Sequence, residues 1–170
     1  MNADMMDDNN TQDIIQACLG LGSNIHPGYN LIRAVEFLGK QLKLIDVSNV
    51  WETSPVGTVG PKFLNAAVLV QTNLSPKQLK YQITRPIEIR LGRVRTPDRN
   101  APRTIDIDLL IWGEQVVDPE LLDHAYIAVP VSEILPDFIP QGYGDTIETI
   151  AQDMISSKSV VKCTDFTIEF

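Results

Sequence analysis

Cysteine is nearly absent from this chain: Cys18 and Cys163 stand far apart among 170 residues. That leaves no disulfide framework and no zinc-ligand spacing, and it suits a reducing compartment. Positive charge is also short, with 14 lysines and arginines against 22 aspartates and glutamates and a net charge of -8. Generic binding to nucleic acid or to an anionic membrane needs a wide positive field, so neither is expected as a partner. No apolar run reaches the length that spans a bilayer. The polar, acidic opening over 1–12 lacks the basic and apolar regions of a signal peptide, so it reads as a disordered tail before a single domain over 13–170. A cytoplasmic protein is expected, and with no heptad or other association motif a monomer is the default. No Walker-type glycine-lysine loop occurs, so any nucleotide here is held by other means. The stretch Leu19-Gly20-Leu21-Gly22-Ser23-Asn24 lacks the third glycine of a dinucleotide fingerprint and reads as a tight turn.

Against this acidic background, four arginines gather in one place. The segment from Gly92 to Asp108 reads G-R-V-R-T-P-D-R-N-A-P-R-T-I-D-I-D. Arg93, Arg95, Arg99 and Arg103 can hold phosphate oxygens through bidentate hydrogen bonds, and Asp106 and Asp108 offer hard oxygen ligands to a divalent metal. Residues two apart on a strand share a face and lie about 6.6 Å apart along it, so the aspartates can share or bridge a pair of Mg2+ ions. They are embedded in Ile105, Ile107, Leu109, Leu110 and Ile111, a run of buried-strand character. Like charges there need a compensating cation, which a metal or the arginines would supply. An arginine loop is by itself commonly just a solvated surface.

The remaining periodicities give the order of elements. A strand over 14–22 enters a loop and then a helix with Leu31, Ala34, Val35 and Leu38 on one face. Strands are expected over 44–51 and 64–72, joined by a long loop with Pro55, Gly57, Gly60 and Pro61. Ser75-Pro76-Lys77-Gln78 carries a capping box and opens a helix to Leu91 that Pro86 should kink or restart. A fourth strand over 104–112 turns at Gly113 into a short extended segment. Strand, helix, strand, strand, helix, strand is the order of a ferredoxin-like α+β sandwich, with helices on one face of an antiparallel sheet. Beyond it, short helices are expected over 131–135 and 146–154, and an alternating strand over 160–170. Asn65, beside Phe63, offers a donor and an acceptor together, as a heterocyclic amide edge requires, though an asparagine closing a loop is the commoner role. Neither His26 nor His124 has an obvious ligand or nucleophile nearby in sequence, and each reads as a surface or satisfied histidine.

The segment Arg99-Asn100-Ala101-Pro102-Arg103-Thr104-Ile105-Asp106-Ile107-Asp108-Leu109-Leu110 resembles the signature of the 6-hydroxymethyl-7,8-dihydropterin pyrophosphokinases of folate biosynthesis. Similarity extends to Leu21-Gly22-Ser23-Asn24, to Glu52-Thr53-Ser54-Pro55-Val56-Gly57, to Phe63-Leu64-Asn65-Ala66-Ala67 and to Leu91-Gly92-Arg93-Val94-Arg95. The resemblance implies a ferredoxin-like fold and transfer of the terminal pyrophosphate of ATP to the pterin hydroxymethyl group, with release of AMP. It implies that Asp106 and Asp108 hold two Mg2+ ions, and that Arg93, Arg95, Arg99 and Arg103 serve catalysis, Arg95 and Arg103 by direct contact with ATP phosphates. Thr53, Ser54, Pro55, Val56, Phe63, Asn65 and Tyr126 would border the pterin, and Glu88 and His124 would join the ATP site. Three departures stand out: Asn100 where many members have an aromatic, Pro86 with an extra residue before Glu88, and a shortened segment before Pro130 with no arginine. The alternatives weighed are a non-catalytic pterin- or nucleotide-binding relative and an RNA-binding module, the latter opposed by the acidic balance.

Overall fold

The computed structural model describes residues 13–55, 60–98, 101–156 and 160–170. The expected tail over 1–12, together with Val56, Arg99 and Asn100, lies outside them. Strand β1 (Ile15–Ser23) is the spine of the fold, paired antiparallel with β4 (Phe63–Thr72) on one side and β5 (Asp106–Trp112) on the other. The sheet continues outward from β5 to β6 (Gln115–Val116) and from β4 to β3 (Trp51–Thr53) and β7 (Val160–Lys162), while β2 (Lys43–Val47) also pairs with β4. Every one of these pairings is antiparallel, and the seven strands form one sheet.

Two helical layers cover the two faces. Helix α1 (Pro27–Gly39) buries Leu31, Ala34, Val35 and Leu38 against Leu19, Leu21, Ala66 and Val68, as its periodicity predicts. Each fully buried leucine or valine among these contributes roughly 1.5–3 kcal/mol. On the opposite face Cys18, Ala67, Leu69 and Leu110 meet α4 (Ala125–Ile134) and α5 (Ile147–Ser156) through Ala128, Val131, Ile134 and Ile147. Burial there pushes the Cys18 thiol up to about 12, so it stays a neutral packing group. No helix of the described residues is long and apolar enough to cross a membrane.

Several elements depart from expectation. The strand expected over 44–51 is two, β2 and β3, because the Ser48 hydroxyl accepts the Ala67 N–H at 2.8 Å in place of a ladder carbonyl. The second helix opens as α2 (Pro76–Gln78) with the capping box of Ser75 and Gln78, then widens into a π-helical turn over Leu79–Thr84 before α3 (Arg85–Arg90). The wide turn absorbs the extra residue ahead of Pro86, which has no N–H to donate. Gly92, at φ +79°, then ends the helix, with Gly92 N–H on Ile89 O and Arg93 N–H on Glu88 O. The helix expected over 131–135 starts instead at Ala125 and runs through Pro130, which withholds one donor while Ala128, Val129, Val131 and Ile134 bury the helix face. Strand character expected over 160–170 ends at Lys162. Beyond it Phe166 and Ile168 pack against the α1 side of the core, so the alternation there reflects a wrapped tail.

Candidate active site

Helices α4 and α5 leave part of their sheet face uncovered, and the gap is a cavity of about 640 Å³. Its floor is the end of β1 and β5. Gly22 pairs with Asp106 and Gly20 with Asp108, so bare backbone lies beside each carboxylate on this face. A Cβ on Gly20 would come within 2.9 Å of Leu110 Cδ1, and one on Gly22 within 3.4 Å of Asn65 Oδ1. Both glycines therefore keep the floor open.

Cations line one wall. Arg103 Nη1 donates to Asp106 Oδ2 at 2.5 Å, and Arg93 Nη2 lies 3.6 Å from the same oxygen. The Arg93 side chain is only 10% exposed, and its Nε is buried with no hydrogen-bond partner among the described residues. Arg95 Nη2 donates to Glu88 Oε2 at 2.7 Å. Glu88 is itself buried, and its other oxygen accepts the N–H of Ile107, between the two aspartates, at 3.0 Å. Burial pushes the Glu88 carboxyl up, against the opposing pull of the Ile107 N–H and the Arg95 guanidinium. Asp108 is pushed up to about 7, first by the surrounding protein and then by the charges of Asp106, Glu88 and Asp118. Its carboxylate still opens to water in the cavity, which screens those charges.

The other wall holds Thr53, Ser54, Pro55, Phe63 and Asn65. Asn65 Nδ2 donates to Trp51 O at 3.2 Å and to Thr53 Oγ1 at 2.9 Å. Because Trp51 O can only accept, the amide orientation is fixed. Both amide hydrogens are thereby used, leaving Oδ1 as an acceptor on the cavity side, while the Thr53 hydroxyl, having accepted, retains its proton to donate. His124 and Tyr126 close the third side with rings stacked at 5.1 Å. Burial pushes the Tyr126 phenol up, and it stays protonated at neutral pH.

All the described residues that the sequence assigned to the site line this cavity except Glu88, which stands behind the wall and supports Arg95 and Ile107. Sequence reasoning missed Asp118 and Glu120 at the cavity edge, and it missed the turn that holds Arg103. Asn24 Oδ1 accepts the Arg103 N–H at 2.7 Å, the Asn24 and Ile25 N–H groups both reach Arg103 O, and the Ser23 hydroxyl donates to Thr104 O at 2.5 Å. The Leu19–Asn24 stretch is therefore not the tight turn expected: Leu19–Ser23 is the end of β1, and with Asn24 it clamps the arginine segment. Its partner lies 79 residues away, so local pattern alone carries no sign of it. Asn24→Ala is expected to lower turnover about 10-fold by loosening Arg103, with a thermal midpoint only a few degrees lower; steady-state kinetics beside a melt checks this.

A carboxylate pair, three arginines and a polar slot in one cleft make an arrangement for aligning a phosphate-bearing ligand with a flat polar one. Over residues 18–136 the sequence matches the family described as 7,8-dihydro-6-hydroxymethylpterin-pyrophosphokinase (HPPK). The chain belongs to the HPPK family. It is 40% identical over 139 residues to the 2-amino-4-hydroxy-6-hydroxymethyldihydropteridine pyrophosphokinase of Methylorubrum extorquens, covering 75% of this chain and 87% of that one. The Pseudomonas aeruginosa protein of the same name is 34% identical over 137 residues, covering 73% of this chain and 83% of its own. Among solved structures, a Plasmodium falciparum HPPK-DHPS triple mutant with pteroate superposes at a TM-score of 0.70 over 91% of this chain. The alignment spans 47% of that longer chain, and at 13% identity the likeness is one of fold.

Proposed function

We infer that this HPPK-family chain transfers the pyrophosphoryl group of ATP to the hydroxymethyl oxygen of 6-hydroxymethyl-7,8-dihydropterin in folate biosynthesis. That oxygen bonds to the β-phosphorus, the α,β bridge breaks, and AMP leaves with the bridging oxygen. The observation that carries this reading is the convergence, in the matched region, of the Asp106–Asp108 floor, the arginine wall and the Thr53–Asn65 edge on one cavity. In-line phosphoryl transfer asks the protein chiefly for alignment and charge neutralisation, and each wall supplies one of these.

Asp106 and Asp108 would hold Mg2+, two ions with ATP bound. The donor set fits: two hard carboxylate oxygen donors share one face of β5, and burial followed by the like charges of Asp106, Glu88 and Asp118 pushes Asp108 up, a penalty a cation would relieve. Magnesium characteristically takes one or two carboxylates and completes its shell with phosphate oxygens and water. When bound, it neutralises the triphosphate and polarises the phosphoryl oxygens. Arg103 and Arg93, which lie on Asp106, would contact the phosphates, and Arg99 would join them. Arg95 is presented to the phosphates by Glu88, so Glu88 acts on ATP through Arg95. His124 would border the phosphates on the α4 side.

On the pterin side, Asn65 Oδ1 would accept from the ring N–H groups and the Thr53 hydroxyl would donate to a ring acceptor. Phe63 and Tyr126 would face the ring, and Ser54, Pro55 and Val56 would close its rim. The strand sequence β5-β1-β4 with β2 and β3 beyond, and α1 and α2–α3 on the far face, supports reading the core over 13–170 as one ferredoxin-like domain with additions after β5. The test is AMP formation from ATP and Mg2+ with and without the pterin. Pterin-dependent AMP is expected, and folded protein that binds both ligands yet releases none would overturn the reading in favour of a binding-only relative.

A further inference from the structure

The break between β2 and β3 is a β-bulge with a partner on another element. Val47 pairs with Val68 and Trp51 with Asn65, so Ser48, Asn49 and Val50 stand opposite only Ala66 and Ala67. The strand carries one extra residue there. Because side chains alternate with period two, one added residue reverses the face of everything that follows. The bulge therefore decides that Trp51 and Thr53 share the face of Asn65 and that Thr53 reaches the cavity.

Glu133, in the last turns of α4, occupies the bulge. Its Oε2 accepts the Asn49 backbone N–H at 2.8 Å, which the β4 ladder leaves unpaired, and its Oε1 accepts Asn49 Nδ2 at 2.9 Å. Lys162 Nζ on β7 lies 3.9 Å from Oε1 and balances the charge. The rest of the bulge is held as well: Ser48 N–H donates to Ala67 O, the Ser48 hydroxyl to Asn49 O at 2.7 Å, and Cys163 N–H to Val50 O. The opposite end of α4 carries Tyr126 and Ile127 on the cavity wall, with His124 preceding it.

We propose that Glu133 is a positioning residue for the pterin edge, pinning the bulge so that Thr53 and Asn65 keep their register and their distance from the α4 wall. The inference rests on the pterin reading of Thr53 and Asn65 given above. It assigns substrate selectivity to a carboxylate outside the cavity, acting through Asn49, and it leaves the phosphate wall untouched.

The experiment exchanges the partners' chemistry. Asn49→Asp sets two carboxylates against each other, with Lys162 left to balance both. Adding Glu133→Gln restores the pair, because the glutamine Oε1 accepts the residue-49 N–H and its Nε2 donates to the new aspartate. In Asn49→Asp the pterin KM is expected to rise about 10-fold while the ATP KM and kcat stay within about twofold, and the double variant should return the pterin KM to within about threefold of the parent. An unchanged pterin KM in folded Asn49→Asp, a loss shared equally by both substrates, or no recovery in the double variant would overturn the proposal. If Asn49→Asp does not fold, Glu133→Ala decides: a raised pterin KM supports the clamp and an unchanged one removes it. A parent protein with no pterin-dependent turnover would instead sink the underlying functional reading and leave the clamp to be judged by pterin affinity alone.

Discussion

Asp108→Asn is expected to reduce turnover about 1000-fold while raising the thermal midpoint of the ligand-free protein. The catalytic loss follows from removing a charged oxygen where Mg2+ would sit, worth several kcal/mol of transition-state stabilisation. The gain in stability follows from the surroundings of Asp108, which is disfavoured as an anion first by the surrounding protein and then by Asp106, Glu88 and Asp118, with only Arg95 pulling the other way. Its carboxyl is pushed from the usual 3.8 up to about 7 in the folded protein. Between those values the unfolded chain gives up this proton first, so the group's contribution to stability falls as pH rises through the window. Asparagine carries no such penalty. Melts at pH 4.5 and pH 8 therefore test the sign: the advantage of Asp108→Asn should be small at the lower pH and larger at the higher, and smaller than for a sealed acid because water reaches the carboxylate. Equal advantages at both, or wild-type turnover in the variant, would remove the role given to Asp108.

Arg103→Ala should lower kcat by about 100- to 1000-fold with little change in pterin KM, since its guanidinium is the cation nearest the floor. It sits 2.5 Å from Asp106, and its backbone is fixed from both sides by Asn24. Arg103→Lys should recover at most about a tenth of the activity, because an ammonium cannot make the planar two-point contact of a guanidinium. Single-turnover kinetics with saturating ATP is the appropriate check. A kcat within a few-fold of wild type in the alanine variant would show that Arg93 and Arg95 suffice.

That the charged groups of the cleft would gather was readable in the sequence because the two most informative groups are local. Asp106 and Asp108 are two apart on an apolar strand, and Arg93, Arg95 and Arg103 are strung along the loop that leads into it, so period and proximity place them together without knowledge of the fold. Their supports were not readable. Asn24 reaches Arg103 across 79 residues and Glu133 reaches Asn49 across 84, and nothing in a local window marks either as a partner. Element boundaries failed where a side chain replaced a backbone group. Ser48 substitutes its hydroxyl in the ladder and splits a strand whose apolar pattern looks continuous. Pro86 announced a kink or a restart, and the helix does restart there as α3; what the sequence did not show is the widened turn before it, ahead of Glu88 on Ile107 and Arg95. The helix before Pro136 was read too short because Pro130 weighs against a helix locally, while the burial that carries α4 through it is tertiary.

Phosphorus-31 NMR of the products formed from ATP, Mg2+ and 6-hydroxymethyl-7,8-dihydropterin tests the central claim most directly. Transfer of pyrophosphate predicts AMP and a pterin diphosphate in equal amounts, with no ADP, and predicts that both vanish when Mg2+ is chelated or Asp108 is replaced by asparagine. ADP with a pterin monophosphate, or AMP that forms equally well without the pterin, would contradict the account.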